Sequence, residues 1–196
     1  MSRFYQILIP LMIALVALAA GIQYNLYQQR VANNERPAAP PFTLNSTQGP
    51  VSLQQLKGKA VMLYFGYASC PDVCPVDLAV VGAALKQLSP AELPQVQALF
   101  ITLDPERDDL ERLGEYAAFF HPSLDTLHGS VEQIAAVAKS YGVIYEKSYY
   151  SNDKSLYWIS HSANFFLINP QGQLARVLPR ETTPAELSEH LRSLIH

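Results

Sequence analysis

Six consecutive residues, Ala60-Val-Met-Leu-Tyr-Phe65, form an unbroken apolar run. A strand with one wet face alternates apolar and polar residues, so a short continuous run predicts a strand buried on both faces. The rest of the chain supplies elements to cover it. Val73, Val76, Val80, Val81, Ala84, Leu85 and Leu88 recur at helical spacing behind it. Pro75 is accepted there because a first-turn position has no use for the missing N–H. Gln97 to Leu103 reads as a second strand. Leu110, Leu113, Ala117 and Phe120 mark a second helix, and Val131, Ile134, Ala135 and Ala138 a third. Residues 163–168 and 174–178 flank Asn169-Pro170-Gln171-Gly172, a strong turn signal, and predict a hairpin. Thr183 caps a last helix with Pro184 at its first position and Leu187, Leu191 and Leu194 on one face.

That order is a parallel crossover unit followed by a hairpin and a closing helix. It predicts a mixed α/β sheet with helices on both sides. The thioredoxin-like fold is the compact architecture that fits it best, although a fold by itself assigns no function.

Three regions divide the chain. Residues 1–22 read as a membrane anchor or signal, because Ile7 to Ile22 carry no charge and Phe4 and Tyr5 extend the apolar stretch. A helix needs ~20 such residues to cross the hydrocarbon core. Arg3 and the amino terminus are the positive groups before it, which favours an N-in, C-out orientation. Ala17-Leu18-Ala19 resembles a small-residue cleavage site, so a cleaved signal peptide competes. The run exceeds the ~7–15 residues of a signal core, which favours the uncleaved helix. Both readings export the domain, and no cysteine follows the run to support a lipoprotein anchor. Residues 23–41 are polar, with Pro37, Pro40 and Pro41 stiffening a linker. Residues 42–196 are domain-sized and can bury a core without disulfide staples. The net charge of −3, with charged residues at 16%, leaves no basic footprint for nucleic acid.

The chemistry concentrates in Tyr67-Ala-Ser-Cys-Pro-Asp-Val-Cys-Pro75, which holds both cysteines, Cys70 and Cys74. They lie between a buried strand and a helix start, where free N–H groups and the helix dipole favour thiolates. Their spacing is four, one more than in a redox Cys-x-x-Cys. Helical positions four apart have Cβ atoms ~5–6 Å apart. A disulfide prefers ~3.5–4.5 Å, whereas a metal at ~2.3 Å from each sulfur tolerates the wider gap. The spacing therefore leans toward metal without excluding reversible oxidation. A purely structural disulfide would close too small a loop to stabilise much. Two thiolates suit Cu(I), zinc or an iron cluster; a cluster needs more cysteines, and structural zinc usually takes four protein ligands. Two thiolates with an imidazole come closer to a copper set.

Five histidines are available. His190 and His196 read as surface residues of the last helix. His121 precedes Pro122 at the end of the second helix, where a cation suits the dipole, and His128 lies in a turn. His161 differs because it opens a predicted strand entering the core, either as a ligand or as a satisfied core histidine.

Phe65-Gly-Tyr-Ala-Ser-Cys-Pro-Asp-Val-Cys-Pro75, with Asp104-Pro-Glu-Arg-Asp108 and His161 before a late strand, resembles the Sco/SenC family of cytochrome c oxidase assembly factors. The resemblance runs from about Phe42 to the end. It includes Leu56-Lys-Gly-Lys59, Gly129-Ser130 and Gly172. It implies a thioredoxin-like domain that faces the periplasm and binds one copper, as Cu(I) or Cu(II), through Cys70, Cys74 and His161. It further implies delivery of copper to the dinuclear centre of oxidase subunit II, reduction of that centre's cysteines, or both. Two positions depart from the family pattern. Ser160 and Asn169 stand where aspartates are common, and loss of the acid at 160 would weaken control of the imidazole. Asp72 reads either as a moderator of thiolate charge or as support for the first helical turn. Asp104 reads as an orienter of the copper loop or a local turn former. The aromatic stretch from Tyr141 to Trp158 reads as a loop or hairpin near the site, suited to a partner or to simple packing.

Overall fold

The computed structural model describes residues 2–32, 36–151, 153 and 156–196. The chain divides into two compact units, Met1–Pro37 and Ala38–His196. The first is one helix, α1 (Ser2–Ala32), with Pro10 inside it and Ile9, Met12, Ile13 and Leu15 exposed. Among the described residues no helix is long and apolar enough to cross a membrane. The span expected over residues 1–22 is thus not something the structure provides. Linker residues 33–35 lie outside the described residues.

The second unit is built around β3 (Ala60–Gly66), whose seven residues are all buried. It runs parallel to β4 (Val96–Thr102), with Ala60 opposite Val96 and Gly66 opposite Thr102. Beyond β4 lies β5 (Leu124–Leu127), also parallel. On its other side β3 pairs antiparallel with β8 (Asn164–Ile168), and β8 with β9 (Leu174–Pro179). The sheet order is β5-β4-β3-β8-β9.

Alternation along β3 explains the unbroken apolar run. Ala60, Met62 and Tyr64 enter one core with α2 (Val73–Lys86), α3 (Leu110–Phe120) and α5 (Pro184–Ile195). Val61, Leu63 and Phe65 enter another with α4 (Val131–Ser140) and the segment of Phe42 and Leu44. Full burial of each such large side chain is worth ~1.5–3 kcal/mol, so neither face of β3 tolerates a polar substitution. Side-chain caps by Asp109, Ser130 and Thr183 start α3, α4 and α5.

The mixed sheet and the four domain helices appear as expected, with three differences. A hairpin of β1 (Thr43–Ser46) and β2 (Gly49–Ser52) precedes the core, turning at Gly49 with φ 115°. β5 is short, and its exposed Asp125 hides any apolar run. The aromatic stretch takes the hairpin form expected of it, as a separate two-stranded sheet of β6 (Tyr145–Tyr149) with β7 (Tyr157–His161). Finally, α2 buries Val81, Ala84 and Leu85 as expected but turns Val76 outward. Val76 is 55% exposed, while Cys74, Asp77, Leu78, Val81 and Leu85 are buried. A Cβ at Gly82 would lie 2.6 Å from the Phe120 carbonyl oxygen. That close backbone approach to the end of α3 needs a residue without a side chain at position 82.

Candidate metal centre

β3 ends at Gly66, and the loop leading into α2 is braced from the segment after β4. Asp108 Oδ2 accepts from the Ala68 N–H at 3.0 Å and from the Thr102 hydroxyl at 2.7 Å. Arg112 donates to Ser69 Oγ at 2.8 Å. The Cys70 N–H closes a tight turn onto the Tyr67 carbonyl at 3.2 Å. These bonds leave Cys70 9% exposed, while Cys74 in the first turn of α2 is fully buried. The Cys74 N–H, one of the unused donors of that turn, points at Cys70 Sγ from 3.5 Å.

His161 arrives from the other side of the site. It closes β7 opposite Tyr145 instead of opening β8, as the sequence suggested. The two strands are separated by only Ser162 and Ala163, which the apolar run of β8 absorbed in the sequence. β7 is fastened by a buried clamp. The Tyr157 hydroxyl donates to Asp104 Oδ1 at 2.7 Å, and Arg107 donates to the Tyr157 carbonyl at 2.9 Å. Arg107 also ion-pairs with Asp104 and lies 3.6 Å from the Tyr157 ring centroid. The Ile159 N–H donates to the Tyr67 hydroxyl at 3.2 Å, tying the histidine strand to the cysteine loop.

The imidazole is oriented by its neighbour's backbone. Nδ1 lies 3.3 Å from the Ser162 carbonyl, so it carries the proton and donates, leaving the Nε2 lone pair 3.4 Å from Cys74 Sγ. Tyr64 and Tyr67 flank the ring edge-on at 6.4 and 6.2 Å. The ligand atoms of Cys70, Cys74 and His161 all lie within 4.8 Å of one another. A metal bonded to sulfur at ~2.3 Å and to nitrogen at ~2.0–2.1 Å fits within that spread. Among the described residues this is the one such group of three.

The two thiols do not titrate alike. A hydrogen bond from Cys74, aided by backbone N–H groups, holds Cys70 well below the usual thiol range against the opposing effect of burial. That same bond and burial push Cys74 up. Of the two sulfurs, the more exposed one is the more acidic. Beneath them, the Tyr64 hydroxyl donates to Asp77 Oδ2 at 2.8 Å, and Arg180 approaches Asp77 at 3.6 Å. Burial raises the Asp77 carboxyl, and these two partners oppose it.

Other expectations meet mixed outcomes. Asp104 braces β7 and so orients the site. Asp72 occupies the N-cap position of α2, where a carboxylate suits the helix dipole, and makes no side-chain cap bond. His121 does end α3, but as a neutral acceptor. Its Nδ1 accepts from the Ser123 N–H at 3.0 Å, and burial, then Lys86, holds its pKa below the ordinary value. His128 contacts the Pro105 carbonyl at 3.2 Å and braces the same turn as Asp104. Ser160 makes no bond to the imidazole, which the Ser162 carbonyl orients instead. Asn169 makes its turn directly, accepting from the Gln173 N–H at 2.9 Å. The sequence reading overlooked Tyr67, Asp77, Arg107, Asp108 and Tyr157 as supports. The signal for Asp77 was a carboxylate one turn after Cys74 on an otherwise apolar helix.

Gly66 lets the site close. A Cβ there would meet Cys74 Sγ at 2.9 Å and the Phe100 and Tyr64 rings at 3.0 Å. Gly66→Ala is expected to destabilise the domain by ~1–3 kcal/mol through overpacking and to weaken metal binding by displacing Cys74. Denaturant unfolding with metal competition measures both; an unchanged midpoint and affinity would contradict the close approach.

Comparison with known proteins points the same way. The SCO1/SenC family model matches residues 30–196. The mitochondrial SCO2 homolog of Bos taurus is 36% identical over 183 residues, covering 91% of this chain and 68% of that protein. The chain spans about half to two thirds of the length of the first mitochondrial relatives it matches. Apo Sco1 of Thermus thermophilus superposes with a TM-score of 0.73 at 36% identity, covering 81% of this chain and 91% of that one. ScoI of Bradyrhizobium japonicum with copper bound gives 0.72 at 32% identity, covering 80% and 99%. BsSco, a member of the Sco family of cytochrome c oxidase assembly proteins in which a disulfide switch is identified, gives 0.65 at 27% identity, covering 82% and 95%. Sequence, fold and the Cys-Cys-His cluster agree, and the chain belongs to the SCO1/SenC family.

Proposed function

We propose that residues 42–196 bind one copper ion through Cys70, Cys74 and His161 and deliver it to the dinuclear copper centre of cytochrome c oxidase subunit II or a related exported copper protein. The observation that carries this proposal is the convergence of two sulfurs and one imidazole nitrogen within 4.8 Å, with Nε2 aimed inward. Soft thiolates select Cu(I), and the added nitrogen lets the same site hold Cu(II). Three donors leave copper open to a further ligand, and an incoming thiolate or imidazole starts the hand-over. The uncharged run from Ile7 to Ile22 would tether the domain to the membrane, facing the periplasm, where confinement with a membrane-bound recipient raises encounter.

Transfer tests this directly. Copper-loaded chain mixed with reduced, copper-free recipient should produce the recipient's own copper spectrum as the donor loses metal. The competing function is thiol–disulfide exchange, favoured by the adjacency of the two cysteines and by the disulfide switch of BsSco. Its signature is that copper-free dithiol chain restores an oxidised recipient supplied with free copper while loaded chain keeps its metal.

The histidine separates the two oxidation states. His161→Ala should weaken Cu(II) binding by about 10²-fold or more (~2.7 kcal/mol) and Cu(I) binding much less, because two thiolates alone hold Cu(I). Thiolate-to-copper absorption beside a Cu(I) competition assay reads the difference. Equal losses would give the imidazole a different role.

A further inference from the structure

Because Cys74 is fully buried, an ion in the site is reachable only past Cys70 and His161. Both line one open cleft of about 460 Å³ between the start of α2 and the outer face of β7. The alternation of β7 decides what that cleft displays. Tyr157 and Ile159 point into the core, so Trp158 and Ser160 point outward. A Tyr150 N–H bond to the Leu156 carbonyl at 3.0 Å closes the hairpin and sets Tyr150 against Trp158, ring centroids 4.5 Å apart. Tyr150 is 66% exposed. The opposite rim carries Asp72, exposed and without a cap bond.

An exposed tyrosine packed against a half-buried tryptophan beside a site that must exchange its ligand is the composition of an interface centre, where such residues carry most of the binding energy. Strand addition to β7 is not available to the visitor. The Tyr157 carbonyl and Ile159 N–H on the edge of β7 are already bonded to Arg107 and Tyr67. Recognition must therefore come from side chains.

We propose that this cleft docks the recipient's own copper-ligand loop, a segment carrying a cysteine thiol, an apolar or aromatic neighbour that stacks on Tyr150 and Trp158, and a basic side chain facing Asp72. This rests on copper delivery as the function and names how the recipient is recognised. The exchange balances without redox change. As Cu(I) moves, each incoming thiolate displaces one thiolate of this chain, and the proton released by the entering thiol is taken up by the departing sulfur.

The test uses full-length chain loaded with Cu(I), with Tyr150→Ala and Trp158→Ala as separate variants. The acceptors are the reduced, copper-free copper domain of subunit II and, separately, a small bidentate Cu(I) chelator. Both variants should bind copper as tightly as the unaltered chain and surrender it to the chelator at the same rate. Transfer to the protein acceptor should slow about tenfold or more. Equal transfer to the protein acceptor by all three chains overturns the docking site and leaves delivery standing. Slowing toward both acceptors also overturns it, since the aromatics would then act on the ion itself. If the unaltered chain transfers nothing to the protein acceptor, delivery falls and the docking site falls with it. Tyr150→Ala alters an exposed side chain, so it answers the question even where Trp158→Ala disturbs the hairpin.

Discussion

Cys74→Ser should lower copper affinity by about 10³-fold or more, ~4 kcal/mol, with little change in fold. Cys74 contributes a fully buried sulfur, 3.4 Å from His161 Nε2, that nothing nearby replaces. A serine hydroxyl is a harder donor and stays protonated, so it cannot stand in for a thiolate toward Cu(I). The smaller side chain relieves no strain and sits near the Tyr64–Asp77 pair, which can satisfy a buried hydroxyl. Cys70→Ser should cause a comparable loss, because it removes the other sulfur of the three-donor cluster. Competition against a Cu(I) chelator, beside a thermal melt of each copper-free variant, measures the effect. Retention of tight binding in either folded variant would remove that cysteine from the centre.

Asp104→Ala should cost ~3 kcal/mol of stability, the low end of the ~3–5 kcal/mol for breaking a buried pair, since Arg107 keeps some access to water. Asp104 is fully buried and answers two groups at once, the Arg107 guanidinium and the Tyr157 hydroxyl. Its removal strands both beneath β7 and releases the strand that carries His161. Cu(II) affinity should therefore fall ~10–100-fold, as for loss of a group that orients a ligand, with Cu(I) affinity nearly unchanged. Asp104→Asn keeps an acceptor for Tyr157 while removing the charge, and should lie between the two. The unfolding midpoint and both affinities are the measurements. A loss below ~1 kcal/mol, or no difference between the oxidation states, would show that β7 is held by something else.

How much of this was visible beforehand depends on the range of the interactions. The β3 run, the helix caps and the Asn169–Gly172 turn are local, and the sequence alone determined the layered mixed sheet and its closing helix. The two cysteines were legible for the same reason: strand, thiol, helix start and thiol fall within fifteen residues of chain. His161 was legible only through the family pattern, because its partner Cys74 is 87 residues away. Tertiary structure alone decided the rest. Gly82 lets α2 close on the end of α3 at Phe120, and pairing with β6 made the histidine strand a separate ribbon ending at the site. The Asp104–Arg107–Tyr157 clamp joins residues 53 positions apart. Such bonds leave no periodicity, because a buried polar group is chosen to match one distant partner and not its neighbours in the chain.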